Sequence, residues 1–197
     1  MADNGLRHLI GDAEVVSVER ALAEIRSGRP VLICDGGNAV LAISAETIDD
    51  KTLAALKSAA VGEARLILSP PRLRLLGYDS PEPGMLPLGT RPAAAIHEIV
   101  SHTTVRLNGI APQATSPLDK AALELMRIGY LLPAAITLPI GDADDAAFSG
   151  LSRVSVAAIA HYRREVVTAA RIVSRAPVPL DQVGDSEFVV FRGGQGM

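Results

Sequence analysis

Two short apolar runs, residues 31–34 and 39–44, stand on either side of Asp35-Gly36-Gly37-Asn38. Runs of this length bounded by turn residues read as strands, and an Asp-Gly-Gly-Asn step joins them as an antiparallel hairpin. Helical and extended patterns alternate irregularly along the rest of the chain. The expected architecture is therefore an α/β (α+β sandwich) fold, a mixed β-sheet with helices packed on it, and not a doubly wound parallel sheet. Aromatic residues make up 3% of the chain and tryptophan is absent, so the core is aliphatic.

Residues 17–28 carry Val18, Ala21, Leu22 and Ile25 at i, i+3, i+4 and i+7, the spacing of one helix face, with Ser17 as N-cap and Gly28-Arg29-Pro30 as the stop. A second helix is expected over 47–60, capped by Thr47, with Leu53 and Leu56 inward. Residues 64–69 read as a strand. Pro70-Pro71 opens a short helix that Gly77 ends, and the proline- and glycine-rich stretch 78–92 reads as a surface loop. Residues 93–100 fit helix or strand equally. A weak strand is expected at 103–107 and a loop at 108–115. Ser116-Pro117-Leu118-Asp119 is the strongest helix start, with serine as N-cap, proline first and an acid third; Leu118, Ala122 and Leu125 share a face and Gly129 closes it. A strand at 134–138, an acidic loop at 141–150, a helix capped by Ser155 and running to 167, strands at 170–173 and 188–191, and a frayed end at 193–197 complete the reading.

The charge balance excludes some classes. Nineteen Lys+Arg face 22 Asp+Glu, a net charge of −3. That balance gives no field to hold a phosphate backbone, so no nucleic-acid partner is expected. No apolar run approaches the ~18 residues of a membrane helix, and the first residues lack a signal-peptide pattern. The expected location is the cytoplasm, without membrane. The lone cysteine, Cys34, excludes an intramolecular disulfide or multi-cysteine zinc site and reads as a buried strand thiol.

Single motifs carry little chemistry. Gly36-Gly37 lacks the residues of a phosphate loop and reads as a turn. His97 and His102 are five apart, about 140° around a helix of 3.6 residues per turn, and do not share a face. His8 and His161 are isolated. Asp142, Asp144 and Asp145 precede Ala146-Ala147-Phe148 and lack the distal glutamate of a calcium loop. The residues taken singly name no active site.

The order of segments does carry a resemblance. Residues 21–35, Ala-Leu-Ala-Glu-Ile-Arg-Ser-Gly-Arg-Pro-Val-Leu-Ile-Cys-Asp, resemble the opening helix, turn and strand of 3,4-dihydroxy-2-butanone-4-phosphate synthase. Ala42-Ile43-Ser44-Ala45-Glu46 matches its strand-to-Ala-Glu step. Residues 118–136 follow its late helix, Leu-Pro turn and strand, and 156–164 its Tyr-Arg-Arg segment. Residues 175–180 and 187–192 resemble the connector into a following GTP cyclohydrolase II domain. The resemblance implies a riboflavin-pathway connection, a synthase-like fold over 1–180, a connector and first strand over 181–197, and a homodimer.

The departures from that pattern bear on function. The family's acidic loop, which holds divalent ions, shrinks to Asp35. Leu118 stands where its metal-ligand histidine falls, and Asn108-Gly109-Ile110 is all that echoes its central motif. The vestigial-site candidates are Asp35, Glu46 and Asp119. No catalytic residue, metal site or cofactor is expected in this chain; magnesium belongs to the active family and zinc to the cyclohydrolase domain. The expected role is a non-catalytic domain of a GTP cyclohydrolase II-type protein, serving dimerisation or regulation. Two alternatives accompany it: a sensor of a phosphorylated sugar or nucleotide, and a divergent sugar-phosphate lyase. The lyase site would be rebuilt from Asp35, Glu46 and the loops 78–92 and 141–150 at a dimer interface.

Overall fold

In the computed structural model, which describes residues 11–107, 109–168, 171–181 and 184–192, β1 (Val31–Asp35) and β2 (Asn38–Ser44) form the expected antiparallel hairpin. Leu32 stands opposite Leu41 and Asp35 opposite Asn38. Gly36 sits at φ +58°, a conformation that glycine alone takes without strain. β2 also pairs antiparallel with β6 (Ala134–Pro139), and β6 in turn with β3 (Arg65–Leu68). Outside β3 lie β4 (Gly84–Pro87) and the two-residue β5 (Gln113–Ala114). On the other edge β7 (Arg153–Ser155) runs parallel to β1. The result is a seven-stranded mixed sheet in the order β5-β4-β3-β6-β2-β1-β7.

Helices cover both faces of this sheet. α1 (Ala13–Arg26) and α5 (Pro117–Ile128) pack on one side, against β1, β2, β6 and β7. α2 (Asp50–Ala59), α3 (Pro70–Leu75) and α4 (Ala93–Ser101) bring Leu53, Leu56, Leu73 and Ile96 to Leu41, Ile43, Leu66, Ile136 and Leu138 on the other. β2 and β6 are buried on both faces, which is why they read as unbroken apolar runs and not as alternating ones.

Several boundaries differ from expectation for identifiable reasons. α1 begins at Ala13, because the Asp12 carboxylate accepts from the Glu14 N–H at 2.7 Å and caps the helix a turn before Ser17. α2 is capped by Asp49, which accepts from the Thr52 N–H at 2.6 Å, and not by Thr47. The stretch 78–92 contains β4, so it is not all loop, and Pro87 stands where β5 no longer reaches. Residues 103–107 form no strand. Residues 93–101 are helix α4, although Pro92 offers its N-terminus no side-chain cap. Asp50 of α2 supplies it, accepting from the Ala93 N–H at 2.7 Å. At the other end the buried Arg72 of α3 donates from Nε to the Ile99 carbonyl at 2.6 Å and from a terminal nitrogen to the His102 carbonyl at 2.6 Å. Burial, with Arg106 adding to it, lowers the Arg72 pKa from its ordinary value.

The chain divides into two compact units, Met1–Ile159 and Ala160–Met197. α6 (Val156–Thr168) crosses that division, and the Ser155 hydroxyl caps it, accepting from the Ala158 N–H at 3.0 Å. In the second unit β8 (Arg171–Leu180) pairs antiparallel with β9 (Gly184–Arg192), from Arg171 opposite Arg192 to Leu180 opposite Gly184. The strands expected around 170–173 and 188–191 fall within β8 and β9, which pair with each other. His8, Asn108, Ala170 and the end at 193–197 lie outside the described residues. Among those described, no helix is long and apolar enough to cross a membrane.

Gly84 opens β4 at a crowded point. A Cβ there would lie 2.7 Å from Pro112 Cβ and 3.0 Å from a Leu73 methyl, whereas one on Gly37 meets nothing within 4 Å. Gly84→Ala is expected to lower stability by about 1–3 kcal/mol and Gly37→Ala to change it by less than about 0.5 kcal/mol, both read by thermal denaturation.

Candidate functional site

The β1–β2 turn, the start of β3, the N-terminus of α5 and the end of β6 meet around an open groove of about 390 Å³. The turn contributes Asp35, Gly37 and Asn38. β3 contributes Arg65, α5 contributes Ser116, Pro117 and Leu118, and the exit from β6 contributes Pro139, Ile140 and Gly141. These segments converge because β2 lies between β1 and β6 and β3 follows β6, so one end of the sheet gathers them. Among the described residues the groove is lined by one exposed carboxylate, Asp35, and one guanidinium, Arg65, which is 26% exposed. Arg65 carries no motif; it reads in the sequence as a polar residue near the start of the strand expected over 64–69.

Asp119 lies beneath this groove and is 1% exposed. Its Oδ2 accepts from the Ser116 N–H at 2.9 Å and the Ser116 hydroxyl at 2.7 Å, and Arg65 reaches it at 3.4 Å. Its Oδ1 accepts from the Thr137 hydroxyl of β6 at 2.7 Å. The Asp119 N–H in turn donates to the Ser116 hydroxyl at 3.2 Å, so the capping box expected from the sequence is complete. Both carboxylate oxygens are spent on fixing α5 to the sheet.

Glu46 lies elsewhere. It follows the far end of β2, a seven-residue strand that spans roughly 20 Å. There its Oε2 accepts from the Leu132 N–H at 2.9 Å. Within one chain the structure thus brings Asp35 and Asp119 to the same end of the sheet and leaves Glu46 at the other. Cys34 is half-buried beside Glu14, Ser17 and Arg153, in a shallower cavity of about 330 Å³. Burial raises its thiol pKa above the ordinary value, with the Asp144 charge adding to this and Arg153 opposing it.

No protein-family model matches the chain. It is 32% identical over 194 residues to GTP cyclohydrolase-2 of Xylella fastidiosa strain Temecula1, an alignment that takes in 95% of this chain and 47% of that protein. GTP cyclohydrolase-2 of strain 9a5c is 33% identical over 201 residues with the same coverage. The chain spans about half the length of these curated relatives. Among solved structures, the two-domain 3,4-dihydroxy-2-butanone 4-phosphate synthase RibBX of A. baumannii superposes with a TM-score of 0.61 at 19% identity, covering 89% of this chain and 66% of that one. The synthase of Candida albicans gives 0.57 at 16%, covering 74% and 96%. A synthase solved with two magnesium ions gives 0.56, covering 75% and 96%. The fold is that of a 3,4-dihydroxy-2-butanone 4-phosphate synthase domain.

In this synthase-like domain the groove does not fit a pair of magnesium ions. Such ions need several oxygen ligands in near-octahedral array. Among the described residues Asp35 is the one carboxylate lining the groove, the Ser116 hydroxyl is committed to Asp119, and Leu118 presents hydrocarbon at the α5 end. Among the described residues, no three His, Cys, Asp or Glu side chains converge on a point that suits a metal.

Asp119→Ala strips the buried Thr137 hydroxyl and the start of α5 of their acceptor. It is expected to cost about 2–4 kcal/mol, while Asp35→Ala, at an exposed turn, changes stability by less than about 0.5 kcal/mol. Urea unfolding of the two variants beside the parent chain measures both.

Proposed function

We propose that this chain is the non-catalytic, synthase-fold part of a GTP cyclohydrolase II-type protein, connected with the riboflavin pathway, and that it serves dimerisation or regulation of the part that carries the chemistry. The observation that carries this reading is Leu118. The resemblance places a metal-ligand histidine at this position, and here a leucine lines the groove. The two carboxylates at that end support the same reading. Asp35 stands alone, and Asp119 is consumed by Ser116 and Thr137. A surface that retains the synthase fold without its ligands keeps what the fold offers besides catalysis, a rigid sheet from which to dimerise or to position another domain. The name GTP cyclohydrolase-2, shared by relatives about twice as long, supports the assignment of the chemistry to the remainder of such a protein.

Incubated with ribulose 5-phosphate and Mg²⁺, the purified chain is expected to consume no sugar phosphate above the protein-free rate, and Asp35→Ala to behave identically. Magnesium-dependent consumption that disappears in Asp35→Ala would overturn the reading in favour of a lyase with a rebuilt site. Size-exclusion chromatography with light scattering at micromolar concentration is expected to give twice the 20.6 kDa chain mass. A strict monomer would remove dimerisation and leave regulation.

A further inference from the structure

α5 ends in a strained residue. The Leu131 N–H turns back to the Met126 carbonyl at 3.0 Å, a closure that passes through one left-handed residue, commonly glycine. Here that residue is Tyr130, at φ +58°, and among the described residues it is the one non-glycine with positive φ. Tyr130 is also 87% exposed. A glycine would close the helix without strain and would put no ring in water. Backbone strain of this kind is kept where the residue serves a purpose beyond the fold.

The neighbours of the ring show what it suits. Arg26 of α1 donates from Nε to the Gly129 carbonyl at 3.1 Å, which holds its guanidinium over the ring with Cζ 6.0 Å from the centroid. Leu132, 38% exposed, lies two residues on, and its N–H donates to Glu46 Oε2 at 2.9 Å. Arg26 and Glu46 thus each hold a backbone group, and among the described residues neither has an ion partner. The patch carries one open charge of each sign beside two apolar side chains. A partner of one dominant sign is attracted by one of these charges and repelled by the other. A second copy turned about a two-fold axis presents the same pair in reverse, so each charge meets its opposite. Tyrosine and arginine are also the side chains on which such contacts most often depend.

We propose that Tyr130, Leu132, Arg26 and Glu46 form a self-association surface, on which a second copy of this chain stacks its own Tyr130 and pairs Arg26 of each copy with Glu46 of the other. This rests on the function proposed above, whose dimerisation it gives a surface. α5 is 12 residues long and spans roughly 18 Å, so the surface lies a helix length from Ser116, Leu118 and the groove. The association leaves the groove open, and the second copy adds no ligand to Asp35.

The test is sedimentation equilibrium of the 197-residue chain and its variants. Tyr130→Gly is expected to raise the dimer dissociation constant at least about 30-fold, Arg26→Glu to raise it about tenfold, and Tyr130→Phe to leave the dimer intact. Diluted until the dimer has dissociated, Tyr130→Gly is expected to melt roughly 2–4 °C above the parent chain, because the strain is relieved. Loss of the dimer is thereby separated from loss of the fold. A dissociation constant unchanged in Tyr130→Gly or in Arg26→Glu overturns the proposal and leaves dimerisation to another surface. A lower melting temperature for monomeric Tyr130→Gly overturns it too, since the tyrosine then serves the fold. A parent chain that stays monomeric at hundreds of micromolar overturns both this surface and the dimerisation proposed above. Sugar-phosphate turnover, measured on the same samples, tests the non-catalytic reading independently of these results.

Discussion

The structure depends on β2 being held between β1 and β6 with both of its faces buried. A strand in that position has no tolerance for a register slip, because moving by one residue would exchange the two sets of side chains facing α1 and α5 on one side and α2 to α4 on the other. The tight Gly36-Gly37 turn sets the pairing with β1, and the match of Ile43 to Ile136 and Leu41 to Leu138 sets it with β6. Once that register holds, Asp35 and Asn38 come to the same end of the sheet as Pro139, and the groove follows.

The elements legible in the sequence are those whose signals are local. The hairpin, the buried stripe of α1, the Ser116–Asp119 capping box and the Ser155 cap all rest on residues within a few positions of one another. α4 was ambiguous because its stabilising partners, Asp50 and Arg72, come from other elements. β4 was hidden because prolines and a glycine that read as loop residues are tolerated where a strand is short and flanks an edge. The start of α1 differs because Asp12 and Ser17 are both good caps, and here Asp12 accepts from the Glu14 N–H while the Ser17 hydroxyl donates to the Glu14 carbonyl within the helix.

The candidate site was half legible for a related reason. The depletion of acidic residues after β1 and the leucine at position 118 can be read directly from the order of residues. The second task of Asp119 cannot: the aspartate that caps α5 also takes the Thr137 hydroxyl, 18 residues further along the chain, and that long-range partner leaves no local signal. Arg65 had no signal at all, since one basic residue at a strand end is ordinary. Glu46 matched a family step, yet its carboxylate braces the Leu132 amide at the far end of the sheet.

The borrowed caps of α4 bear on how the domain holds together. Nine residues are too few to hold a helix in water by themselves, and this helix carries no local cap at its proline start. Its nucleus is therefore not in its own sequence. Its stability depends on α2 and α3, one offering a carboxylate and the other a guanidinium. α4 is a conditional element, and the packing of Ile96 depends on its neighbours being in place.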